Sequence, residues 1–192
     1  TLGNNLHQAG VVFHGSGAVR ELTISQVIVD PDYLRLYKIP IIAGRNFEAS
    51  DRDYGKAYII NETLAKELLK DTPKAPLETL IGKKFGFEGM DSTGFIAGVA
   101  KDFNFNSLHH KIETLSIFCQ KEWGYSEAAI RINKTDINDA VNILETTWKK
   151  INPDQPFEYK FLDDHFSELY RADQIVSKVV GILTGLAILI SC

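Results

Sequence analysis

Fourteen consecutive residues, Val179 to Cys192, carry no charge, and a stretch that avoids water so completely limits what the rest of the chain can be. A helix rises about 1.5 Å per residue, so the run would extend roughly 21 Å. A bilayer core is about 30 Å thick and takes roughly 20 apolar residues to cross. The run therefore predicts the opening of a membrane span, with the sequence in hand stopping inside it. A buried terminal helix of a water-soluble protein is the alternative for so short a run. Two features favour the span. Gly181, Thr184 and Gly185 are small residues that let membrane helices approach closely, whereas each Gly in a soluble helix costs about 1 kcal/mol. Upstream, Asp164 to Lys178 is polar and amphipathic, with Phe166, Leu169, Ile175 and Val176 near helical spacing and Lys178 at the edge of the apolar run. A charged helix that becomes apolar on all sides is how a helix enters lipid.

Composition places a folded body before that run. The 192 residues suffice for one domain or two closely associated subdomains with a real core. An apolar fraction of 44% and a charged fraction of 24% are those of a globular protein, which excludes a disordered tail. The formal net charge of −4, with no run of Lys or Arg, argues against a nucleic-acid surface. Cys119 and Cys192 are the two cysteines, one in the polar body and one in the apolar run. They make no disulfide framework and leave the redox compartment open. Thr1 to His7 has neither the basic start nor the apolar core of a secretory signal. An extracytoplasmic body would then need a preceding membrane helix to translocate it, and the chain reads as a loop domain between two spans.

Periodicity orders the body. Residues 1–20, rich in Gly, Asn and His, predict irregular structure or an edge strand. Leu22 to Val29 alternates as a strand does. Asp30 and Pro31 predict a helix cap and first helical residue, with Tyr33, Leu34, Leu36 and Tyr37 in a short helix stopped by Pro40. Ile41 to Phe47 reads as a turn or short strand. After the charged loop Asp51 to Gly55, Ala57 to Ile60 predicts a strand. Asn61 then caps a helix whose inner stripe is Leu64, Ala65, Leu68 and Leu69. Thr72 to Pro76 breaks that helix, and Lys83 to Phe87, Thr93 to Ala100 and Thr114 to Gln120 predict three strands. Ala128 to Ile132 predicts another strand, Asp136 a cap, and Ile137, Val141, Leu144 and Trp148 a helix ended by Asn152 and Pro153. Phe157 to Leu162 predicts a last strand with Phe157, Tyr159 and Phe161 on one face. Strand, acidic cap and helix thus recur near 22–38 and 128–150, around a different, strand-rich block. The expected class is α+β: one α/β subdomain from 1–52 and 126–163, a smaller one inserted at 53–125, and a helix over 164–192.

No constellation of side chains predicts catalysis, a cofactor or a metal. His109, His110 and Glu113 could offer two ligands on one helical face, but a metal wants a third partner and the segment lies between predicted strands. Solvated loop residues are the better reading. Asp163, Asp164, His165 and Glu168 suit a helix start, where acidic groups complement the dipole, better than acid–base chemistry. No nucleophile elbow, dinucleotide fingerprint or phosphate loop is present in the sequence, and Gly15 to Gly17 is too short to signify one. Any nucleotide that drives this protein is bound by another chain. Gly98 to Leu108 reads as a strand running into a corner. There Asp102 and Asn104 can bond their own backbone, while Phe103 and Phe105 pack or meet a partner.

Several of these segments, in this order, resemble a family. Val29-Asp30-Pro31-Asp32-Tyr33-Leu34 followed by Ile39-Pro40-Ile41-Ile42-Ala43-Gly44-Arg45-Asn46-Phe47 is similar to the opening of MacB-like extracytoplasmic core domains. Ile59 to Ala65, Leu80 to Lys83 and Gly98 to Leu108 are similar to its next landmarks in permeases of the FtsX/MacB type, in their Bacteroidetes-like form. The resemblance runs from about Val27 to Cys192; residues 1–20 carry little of it. It implies a permease subunit of an ABC transporter in the cytoplasmic (inner) membrane, with this domain on the periplasmic side. It further implies a porter-like subdomain with an inserted Sabre-like one, and a stalk helix over 164–192 passing motion to and from the membrane. The partners it implies are a cytoplasmic ATP-binding subunit or domain, a second permease copy, and a periplasmic adaptor or envelope protein. Export, lipoprotein release and control of envelope enzymes all use this plan without catalysis in the domain. A membrane-tethered ligand-binding or sensor domain is the alternative from another class.

Overall fold

A strand buried on both faces of a sheet needs a near-continuous apolar run, and residues 57–60 form one. The structure, a computed structural model, describes residues 7–15, 19–49, 53–87, 94–104, 111–132 and 136–162. The chain divides into two compact units, Thr1–Arg131 and Ile132–Cys192.

In the first unit the elements run β1 (His7–His14), β2 (Val19–Ile28), α1 (Tyr33–Leu36), β3 (Ile41–Gly44), β4 (Ala57–Asn61) and α2 (Glu62–Leu68). A 3-10 turn (Leu77–Leu80), β5 (Lys84–Phe87), β6 (Gly94–Ala100) and β7 (Leu115–Phe118) follow. All seven strands belong to one mixed sheet, in the order β3-β6-β4-β7-β2-β1-β5, and β5 also pairs with β6. Six strands thus form a closed circuit that β3 extends, so little backbone edge is left bare. β2 with β7 and β4 with β6 are parallel; the remaining pairs are antiparallel. The class is α+β.

Side-chain alternation assigns each strand residue to one of two cores. Ile24, Tyr58, Ile60, Ile96 and Phe118 face one way, against Leu64, Ala65 and Leu68 of α2 and Leu80 of the 3-10 turn. Val27, Val29, Ile59, Ala97, Ile117 and Cys119 face the other, against Leu34 of α1, Ile39 and Phe47. β4 sits between β6 and β7, and all five of its residues are buried. The first core is rich in rings: Tyr58 stacks on Phe118 with centroids 5.4 Å apart and meets Phe85 edge-on at 5.2 Å. Such pairs add roughly 0.5–1.5 kcal/mol beyond burial.

Several expectations from the sequence change here. Residues 7–14 form a full strand, β1, lying between β2 and β5 instead of at an edge. The first helix has four residues and starts after Asp32, whose side chain makes no cap bond. Asp30 is not its cap; its Oδ1 accepts the Asp32 amide at 3.0 Å in a local turn. Lys38, with φ 55, ends the helix before Pro40 is reached. β1 to β3 and β4 to β7 interleave in a single sheet. Ala128 to Ile132 and Phe157 to Phe161 are described without strand pairing, since a β ladder requires a second strand and none is paired with them among the described residues.

The second unit contains α3 (Ile137–Ile151). Asp136 holds the cap position without a side-chain cap bond, and Lys149 and Lys150 lie in the last turn, where cations complement the helix dipole. Trp148 folds the following chain back by donating from Nε1 to the Gln155 carbonyl at 3.0 Å. Phe157, Tyr159 and Phe161 do share a face: successive ring centroids are 5.5 Å apart. No helix among the described residues is long and apolar enough to cross a membrane. The run Val179 to Cys192 lies outside the described residues, as do Asp164 to Lys178.

Candidate functional site

Residues 39–47, 59–65 and 98–104 meet at two polar junctions on the sheet. The first is built around a bulge. Opposite β4 the register slips between Tyr58 and Ile59, leaving Ala97 of β6 unpaired there. Its carbonyl turns to the other neighbour and accepts the Arg45 amide at 3.0 Å. Bulges free a carbonyl in this way while bending the strand. The approach is so close that only glycine fits on both sides. A Cβ on Gly44, which has φ +72, would collide with the Ala97 carbonyl, and one on Gly98 would collide with the Arg45 carbonyl.

Arg45 is held there by a fork. Its two terminal nitrogens donate to the two carboxylate oxygens of Asp53 at 2.7 and 2.8 Å. Asp53 also accepts the Glu48 amide at 2.7 Å. The Asp53 side chain is 1% exposed and the Arg45 side chain 41%. The hydrogen bond to Asp53 raises the Arg45 pKa above its ordinary value, against the opposing effect of burial. This pair ties Asp53 back to the end of β3 beside Phe47 of the second core, and Tyr54 next to it carries the Lys121 ammonium 4.0 Å from its ring centre.

The second junction centres on Asn61, which is wholly buried. Its Oδ1 accepts the Leu64 amide, as a helix cap should, and also the Leu115 amide, both at 3.0 Å. Its Nδ2 donates to the Glu113 carbonyl at 2.8 Å. One amide group thus ties β4, α2 and the entry to β7. Asp102, expected to bond its own turn, instead accepts from the Thr63 amide at 2.9 Å and the Thr63 hydroxyl at 2.8 Å, adding a second cap to α2. Phe103 packs on the second core, as a strand-exit corner should. Of the corner expected over Gly98 to Leu108, residues 98–104 are described, and there Asp102 finds its partner in α2.

Beside this junction the ladder between β2 and β7 begins, at Ser25 and Leu115. An open groove of about 390 Å³ lies there, lined by Gln8, Thr23, Ser25, Thr63, Lys111 and Glu113 among others. Glu113 accepts from the Ser25 hydroxyl at 3.3 Å. His109, His110 and Phe105 lie outside the described residues, and so do Asp163, Asp164, His165 and Glu168. Among the described residues no group of three His, Cys, Asp or Glu side chains could hold a metal. Burial, with the charges of Asp30 and Asp53, pushes the Cys119 thiol up to about 12, so it stays protonated and unreactive at neutral pH. Burial likewise pushes the Tyr58 phenol up to about 12. These are structural groups of a packed interior.

No protein-family model matches the chain, and no curated protein does. Among solved structures, a domain of a presumptive permease protein from Porphyromonas gingivalis is similar to it at 15% identity and a TM-score of 0.47, covering 83% of this chain and 78% of its own. The extracellular domain of the ABC-type transporter YknZ from Gram-positive bacteria is similar at 16% identity and a TM-score of 0.44, covering 74% of each chain.

Proposed function

We propose that this chain is the extracytoplasmic domain of an ABC transporter permease subunit, which performs no catalysis and works by conformational coupling. The uncharged run from Val179 to Cys192, reached through a polar amphipathic stretch, is the observation that carries this reading. A folded α+β body attached to a stretch that lipid would accept is built to stand at a membrane surface. The segments of the family resemblance support it further. Gly44, Arg45, Asn61, Gly98 and Asp102 are the fixed points of the packed unit, so the same local sequences are needed to build the same junctions.

In this reading 164–192 is the stalk that carries motion between the body and the membrane. A continuous helix can do so because its backbone bonds are satisfied along its length. Placing 126–163 with 1–52 in a porter-like subdomain, around a Sabre-like 53–125, belongs to the same proposal. ATP is hydrolysed by a cytoplasmic subunit or domain, and a second permease copy and a periplasmic adaptor or envelope protein complete the assembly in the inner membrane.

Expression of the intact gene with its neighbours tests the assignment. A tagged product is expected to copurify in detergent with an ATP-binding protein in stoichiometric amount, and ATPase activity is expected to follow the complex. A product that purifies as a single-span protein with no ATPase would instead be the tethered sensor.

A further inference from the structure

One wall of the groove beside Asn61 is a stretch of β2 that, among the described residues, pairs with no strand on that side. Backbone amides and carbonyls two residues apart on a strand point to the same side. The Ser25 amide donates to the Thr114 carbonyl at 3.1 Å and the Val29 amide to the Phe118 carbonyl at 3.0 Å, so odd-numbered residues of β2 present their polar backbone towards β7. Pairing of β2 with β7 begins at Ser25 and Leu115. Glu21 and Thr23 point the same way but precede that start, and among the described residues no backbone group pairs with them on that side. On the opposite wall the Glu113 carbonyl and the Leu115 amide both bond Asn61 instead of β2.

We propose that this groove accepts an extended segment of another polypeptide, added as a strand to β2 at Glu21–Thr23. The edge itself specifies the chemistry: two amide donors and two carbonyl acceptors at strand spacing are matched only by another extended main chain. The side walls specify the rest. Thr23, Ser25, Thr63 and Thr114 suit small or β-branched side chains. Lys111 and Glu113 carry opposed charges along the groove, which favours a neutral segment over a strongly acidic or basic one. The inference does not rest on the permease assignment.

The probe is a short, capped, neutral peptide of alternating threonine and valine, titrated into the full chain while backbone amide resonances are followed. Saturable shifts at Glu21 and Thr23, with slowed amide exchange there, are expected. A peptide with alternate amides N-methylated should bind about tenfold more weakly or worse, since it cannot complete the ladder. Thr23→Pro removes one edge donor without touching the bonds to β1 and should weaken binding similarly. Glu21→Pro gives the same test if the first variant does not fold. No shift at these amides, equal binding of the methylated peptide, or slow exchange of both amides before any peptide is added would each overturn the proposal. The last would mean that the chain covers this edge itself.

Discussion

Asn61→Ala is expected to lower the stability of the first unit by about 3 kcal/mol. Loss of a helix cap alone costs about 1 kcal/mol. Asn61 is more than a cap, because the same Oδ1 also accepts the Leu115 amide and Nδ2 satisfies the Glu113 carbonyl. Leu115 is fully buried, so its amide would be left without water or partner, at roughly 1–3 kcal/mol. The Glu113 carbonyl borders the groove and can be hydrated, so its share is smaller. Asn61→Asp keeps both acceptor bonds and loses only the donor, while turning a negative charge towards a carbonyl. It should fall between wild type and Asn61→Ala in urea midpoint at an unchanged m-value. Equal stability of Asn61→Ala and wild type would show that the junction does not tie these elements together.

Asp53→Ala should cost nearly as much, about 3 kcal/mol, and Arg45→Ala at least as much again. The asymmetry follows from exposure. Removing Asp53 frees a guanidinium that is 41% exposed and can recover water, whereas removing Arg45 takes the counter-charge from a carboxylate that is 1% exposed. The double variant Arg45→Ala/Asp53→Ala should be less damaging than the sum of the two, with a coupling of about 2 kcal/mol in a double-mutant cycle. Because the carboxylate is buried, the coupling should change little between low and high salt. Additive losses would contradict the ion pair as drawn. Melting temperatures give the same comparison: for a chain of this size a 3 kcal/mol loss corresponds to roughly 6–12 °C.

Local structure was readable wherever one short-range signal dominated. β2, β4, α2 and β6 fall within a few residues of the spans that alternation, Asn61 and the Leu64–Leu68 stripe predict. β1 was not, since its residues 7–14 take their order from β2 and β5 on either side, and strand pairing is not a local property. Asp30 and Asp136 show that an acidic residue ahead of a helix need not cap it: one closes a turn instead, and neither makes a side-chain cap bond. Asn61 shows the limit from the other side. Its cap was visible three residues away, but its bonds to Glu113 and Leu115 reach across 52 and 54 positions. The Arg45–Asp53 fork and the bare edge of β2 depend on a bulge and on where a ladder begins. No residue pattern announces either.

The central claim is that this body is fixed to a membrane and faces away from the cytoplasm. Fractionation of cells producing the intact gene product, combining alkaline carbonate extraction with protease added to spheroplasts, tests it most directly. The product should stay in the carbonate-washed membrane pellet, and residues 7–162 should be cut by protease from outside without lysis. Release into the carbonate supernatant, or cleavage only after the spheroplasts are broken, would contradict the account.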